Sequence, residues 1–162
     1  MVFFDSLINS LRLPKKEAMF HLNRKGITHT IGYLFVLLLL LFLPDMVISI
    51  LYLETNLTEV SRGMYMAQFL VFYPLLIVFL ILVGVSILAG GSLLMRKALS
   101  RKLAYQQLWK LTAYACTLPL ILSVLLKYLT VPNAISALIF MAIFVYYMYR
   151  MITVYPKVPA KP

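Results

Sequence analysis

The chain has 162 residues, 63% hydrophobic and 12% charged, where a soluble domain runs nearer half apolar and a quarter charged. That balance excludes a water-soluble globule and leaves too little polar chain for a soluble domain with its own core. The net charge of +10 would suggest nucleic acid in a soluble protein; here the cations flank membrane-length runs, where anionic lipid and topology account for them.

Four apolar runs are each long enough to cross a hydrocarbon layer of about 30 Å at about 1.5 Å per residue. The expected fold is all-α: a polytopic membrane protein with four transmembrane helices, an N-terminal amphipathic interfacial helix and both termini cytosolic. Residues 1–26 make the interfacial helix and a basic juxtamembrane segment, 27–152 the transmembrane domain and 153–162 a short cytosolic tail. Charges continue to Lys25 before the first apolar run and no small-x-small cleavage site follows, so that run is expected to stay as an anchor. The single cysteine, Cys116, lies in an apolar run; it can form no intrachain disulfide and reads as a small packing residue.

Residues 2–13 have helical two-sidedness. Phe3, Phe4, Leu7, Ile8 and Leu11 share one arc; Asp5, Ser6, Asn9, Ser10 and Arg12 share the other. Phe3, Phe4, Leu7 and Leu11 are the expected anchors at the headgroup boundary, and a docking helix for a partner's groove is the alternative. Pro14 stops this helix. A basic segment with Lys15, Lys16, Arg24 and Lys25 follows. His21 and His29, eight apart with no carboxylate at ligand spacing, make no metal site.

The first span is read at 27–53. Pro44 and Asp45 interrupt it: either the span ends there, or one tilted helix kinks. An aspartate at the bilayer centre would cost about 2.5–3.5 kcal/mol, which places Asp45 toward the outer interface or against protein. It is either a functional intramembrane acid or a helix-end residue in headgroups. Residues 54–63 read as a polar loop, with a glycosylation sequon at Asn56, Leu57 and Thr58. The second span is read at 67–88. Gly84, Ser86 and Gly90 are small residues at near-helical spacing, suited to close helix packing within the chain or against a partner. Gly90 and Gly91 equally fit a helix end.

The connector at 95–110 carries five of the fifteen cations. Arg96, Lys97, Arg101 and Lys102 are assigned to topology and lipid. Tyr105, Gln107, Trp109 and Lys110 are expected to hold the connector at the cytosolic surface or against a partner, with Tyr105 and Trp109 at headgroup level. Ala104, Leu108, Leu111 and Ala115 form an apolar stripe, so one unbroken helix is expected to run from the cytosol into a third span at 111–129. Pro119 lies inside that span, and Thr117 can bond a backbone carbonyl near it. A tight turn at 127–133 leads to the fourth span, 134–152, whose end is rich in tyrosine and closed by Arg150. The proline-containing tail reads as extended or disordered.

With both termini inside, thirteen cations face the cytosol, and only Arg62 and Lys127 lie outside. The sequence carries no paired carboxylates within spans, no HExxH, no GxSxG and no phosphate-cradling loop. No catalytic, cofactor-binding or metal residue is assigned, no cofactor and no nucleic-acid or nucleotide binding is expected, and the chain reads as a non-enzyme.

Two stretches carry a resemblance. One is Phe4, Leu7, Ser10, Leu11, Pro14 and Lys15 ahead of a basic patch. The other runs from Leu99, Ser100, Leu103 and Tyr105 through Gln107, Leu108, Trp109, Lys110 and Leu111 to Ala113, Tyr114, Ala115, Thr117 and Pro119. Together these resemble the MalA-like maltodextrin-utilisation membrane proteins of Gram-positive bacteria. Those typically have a sizeable extracytoplasmic segment after the first span, where this chain has only 54–63, so it looks like a shortened relative. The resemblance implies a non-catalytic accessory or stabilising subunit in the bacterial plasma membrane, packed against the permease subunits of a carbohydrate ABC importer, for example one for raffinose-type sugars. The alternatives are a membrane-organising protein acting through anionic lipid, and a small oligomeric transporter or channel.

Overall fold

The computed structural model describes residues 2–56 and 59–157. The described residues form seven helices: α1 (Val2–Leu11), α2 (Lys16–Arg24), α3 (Ile27–Asn56), α4 (Glu59–Ala98), α5 (Tyr105–Ala115), α6 (Thr117–Tyr128) and α7 (Asn133–Val154). Four segments are long and apolar enough to cross a membrane: Ile27–Ser49, Leu70–Ala98, Tyr105–Tyr128 and Asn133–Val154. The protein is an all-α, multi-pass membrane protein.

Prolines shape the long helices in two ways. Pro44 lies inside α3 and Pro74 inside α4, and both helices continue through them. Each proline removes one ladder bond, a loss that neighbouring helices and local adjustment can absorb in a membrane. Pro44 therefore does not end the first span. Pro119 leaves a small mark: its ring and missing N–H fall one turn after Ala115, and Cys116, between α5 and α6, is the one irregular residue, with its backbone still in the helical region. Helical backbone runs through the third span from Tyr105 to Tyr128, as its pattern predicts, with that local irregularity.

Several boundaries differ from expectation. Helix α4 has 40 residues, about 60 Å at about 1.5 Å per residue, twice the hydrocarbon thickness. Residues 54–63, read as a loop, are helical up to Asn56 and again from Glu59; the sequon there lies partly outside the described residues. Gly90 and Gly91 sit inside α4, which runs on to Ala98. Between Ala98 and Tyr105 the connector is not helical, so Lys102 and Ala104 precede α5, and Ala104 is exposed while Leu103 is buried.

The core is built around the third span. Of its most apolar window 56% is buried, against 17–22% for the other three. Leu108, Leu111, Ala113, Tyr114 and Ala115 are fully enclosed. Helix α4 turns one stripe toward them, Ile77, Ile81, Val85, Ala89 and Ser92, at helical spacing. Its other sides expose Leu70, Phe72, Leu75, Phe79 and Ile87. A helix apolar all round with one buried stripe suits a lipid solvent. Helix α7 contributes Phe144, Met148, Met151 and Ile152.

The N-terminal region is more folded than its sequence suggests. The basic juxtamembrane segment forms α2, burying Ala18, Met19 and Leu22. Helices α1 and α2 make a hairpin through Pro14 and pack on the end of the bundle where the connector and the C-terminal residues meet. Helix α1 turns Ser6 and Ser10 into the bundle and leaves Phe4, Ile8 and Leu11 exposed, the side on which the apolar anchors are expected.

Candidate functional site

Polar side chains gather at this terminal end of the bundle. Each joins two elements. Lys110 on α5 donates its ammonium to the backbone carbonyls of Asn23 and, at 2.9 Å, Lys25. These carbonyls close α2, where a cation complements the negative end of the helix dipole and fills acceptors that have no helical partner. Lys25 in turn donates to Asp5 on α1 at 2.6 Å and to Ser6 at 2.8 Å. The Lys25 bond holds the Asp5 carboxyl below the usual carboxylate range. Asn9 donates to the other oxygen of Asp5 at 2.9 Å, and His21 lies 3.9 Å from Asp5.

Beneath this layer, two hydroxyl chains tie the hairpin into the spans. Thr30 donates to the Tyr114 hydroxyl at 3.1 Å, and Tyr33 and Thr117 pair at 2.9 Å. Ser6 lies beside Tyr114 and Ser10 beside Tyr33, and the Ser10 hydroxyl donates to the Ser6 carbonyl at 2.7 Å. The Tyr33 ring packs 5.4 Å from both Phe3 and Tyr114. Buried hydroxyls in an apolar setting must find partners, which explains why α1 turns its serines inward. Thr117 is occupied by Tyr33.

The C-terminal residues close the platform. Tyr155 is buried, its hydroxyl accepts from Asn23 at 3.0 Å, and Arg101 donates to its carbonyl. Burial pushes the Tyr155 phenol up. Lys102 donates its backbone N–H to Pro156, and Arg101 bridges to Lys157. The first tail residues are therefore held against the connector, while 158–162 lie outside the described residues.

The sequence-assigned residues divide clearly. Trp109 is buried, not exposed at an interface, and its indole N–H donates to Ser86 at 3.2 Å. Gln107 accepts the Ala104 N–H and caps α5, and Tyr105 is exposed. Among the small residues, Ser86 is absorbed by that bond and Gly84 borders an apolar cavity of 110 Å³ with Leu34, Ile81, Cys116 and Phe140. Nothing lies within 4 Å of the place a Cβ on Gly90 would take. Within the chain α4 packs through Ala89 instead. Arg96 is half-buried; Lys97 and Lys102 are exposed; Arg101 serves the tail. Of the anchors, Phe4 and Leu11 are exposed, and Phe3 and Leu7 rest partly on the bundle.

A second polar cluster sits at the opposite end. Lys127 on α6 donates to Asp45 on α3 at 2.6 Å, and Tyr73 on α4 lies close enough to feel both charges. Sequence reading singled out Asp45 but not its partner.

A family model described as a protein of unknown function (DUF1189) matches residues 50–152, more than half of the chain. The chain belongs to the DUF1189 family. No curated protein and no solved structure matches it. In this DUF1189 protein the matched stretch includes Trp109, Lys110 and Tyr114, while α1, α2 and Asp45 precede it.

Proposed function

We propose that the protein is a non-catalytic accessory membrane subunit, seated in a bacterial plasma membrane with its termini and connector in the cytosol. The observation that carries this reading is the use made of the connector. Trp109, Lys110, Gln107 and Arg101 spend their polar groups on Ser86, α2, the start of α5 and the tail. Such residues build a fixed platform at one end of a lipid-facing bundle, which suits a part that positions another protein. The excess of cations at this end supports the cytosolic orientation. The resemblance of the connector to MalA-like proteins supplies the partner: the permease subunits of a carbohydrate ABC importer.

Purification of the tagged chain in mild detergent tests this. A permease subunit should copurify, and deleting the gene should lower oligosaccharide uptake. A clean preparation with unchanged uptake would overturn it. A second reading, organisation of anionic lipid, is favoured by the exposed cations Lys97, Lys102 and Arg150 beside the spans.

A further inference from the structure

The hairpin of α1 and α2 borders an open pocket. Its volume is 390 Å³, and it is lined by Asn9 of α1, Arg12 and Lys15 of the turn, and Glu17, Ala18 and His21 of α2. That volume falls within the range of about 300–1,000 Å³ typical of small-ligand sites. Lys25, Lys110 and Arg101 at this end are bound to groups of the chain itself. Arg12 and Lys15, like Lys16, Arg24, Lys97 and Lys102, are exposed with no ion-pair partner among the described residues, and of these only Arg12 and Lys15 line the pocket.

We propose that this pocket binds the headgroup of one anionic phospholipid of the surrounding membrane, with a glycerol-type phosphodiester favoured. Charge and position both select that occupant. Arg12 and Lys15 supply two cations and Glu17 one carboxylate, a net charge that neutralises a single phosphodiester. The guanidinium and ammonium take the phosphate oxygens. Glu17, an acceptor, suits the hydroxyl donors of a glycerol headgroup. On α1 the exposed apolar face of Phe4, Ile8 and Leu11 is followed round the helix by Arg12 and then Asn9. With the apolar face sunk at the bilayer boundary, Arg12 and the pocket stand at headgroup level. The first span begins two residues after α2 ends its cap, so the hairpin cannot leave the membrane surface.

This inference is independent of the importer reading. Its test uses the full chain, with the retained phosphatidylglycerol counted by native mass spectrometry at about physiological ionic strength. R12Q/K15Q should weaken phosphatidylglycerol retention roughly 30-fold, on the usual contribution of one cation at a membrane surface. K16Q/R24Q, with the same charge change on exposed positions of α2 outside the pocket, should change it by no more than about twofold. Equal losses in the two variants would mean general surface attraction and overturn the site, as would no loss in R12Q/K15Q. Displacement of the lipid by millimolar inorganic phosphate would reassign the pocket to a soluble anion, which also overturns it. Should the double variant misfold, R12Q and K15Q singly carry the test, each with a loss of roughly fivefold.

Discussion

Lys127 and Asp45 meet at 2.6 Å across α6 and α3, so the one acid inside the four spans is matched by a cation from a neighbouring span. Each side chain is partly exposed, Lys127 by 56% and Asp45 by 32%. In an apolar solvent neither charge would be tolerated alone. Tyr73 of α4 stands beside the pair, and its ring packs against Phe42 of α3. Three helices are therefore pinned at the end of the bundle opposite the platform.

Breaking this pair from one side should cost more than removing it. Lys127→Met leaves Asp45 without its partner and should destabilise the chain by about 1 kcal/mol, the upper range for a partly exposed ion pair. Asp45→Asn with Lys127→Met should recover more than half of that loss. A double-mutant cycle on unfolding in mixed micelles reads the coupling. Strict additivity would show that the contact contributes nothing.

The spans were legible because lipid imposes a length and a polarity on each. The pairing of Asp45 with Lys127 was not, because the two lie 82 positions apart and only packing joins them. Pro119 signals a disturbance as Pro44 and Pro74 do, and in each case the helical backbone continues, with one irregular residue at Cys116. Helix α2 is hidden by its charge, since Ala18, Met19 and Leu22 make too short a stripe to stand out among lysines. The burial of Ser6 and Ser10 depends on Tyr114 and Tyr33, which stand beside them in the bundle. A helical wheel of α1 alone contains no information about those partners.

Lys110 should act as the clasp of α2. Lys110→Met removes the donor shared by Asn23 and Lys25 and leaves two carbonyls at the end of α2 unfilled. A charged hydrogen bond contributes about 1.5–3 kcal/mol, so α2 should open locally while the spans stay folded. Hydrogen exchange resolved by segment checks this: the amides of 18–25 should lose roughly tenfold or more of their protection. Unchanged protection there would show that hydrophobic contacts of Met19 and Leu22 suffice.

The small residues of α4 should separate by position. Ala89 is fully buried, so Ala89→Leu overpacks the core and should cost about 1–3 kcal/mol. Gly90 faces open space, and Gly90→Ala should stabilise the helix by up to about 1 kcal/mol. Thermal unfolding in detergent, followed through the fluorescence of the single tryptophan Trp109, ranks the variants. Equal destabilisation by both changes would contradict the packing stripe through Ala89.

Acid should release α1. Asp5 titrates below its ordinary value of 3.8, chiefly because Lys25 donates to it. A carboxyl with a depressed folded value contributes stability that is full above the unfolded value and is lost as pH falls through the folded one. Docking of α1 should therefore be constant from about pH 5 to 8 and weaken only below about pH 4. Asp5 is 48% exposed, so solvent screens the pair and the effect should be confined to the hairpin. A nitroxide at Ile8, on the exposed face, reports the motion of α1. Its spectrum should stay immobilised across the neutral range and sharpen only in acid. Asp5→Asn leaves Lys25 only a neutral acceptor, so its spectrum should be more mobile than the parent's at neutral pH and should not change in acid. A transition near pH 6, or an immobile Asp5→Asn variant, would shift the hold on α1 away from this carboxylate and onto the serine and tyrosine hydroxyls beneath it.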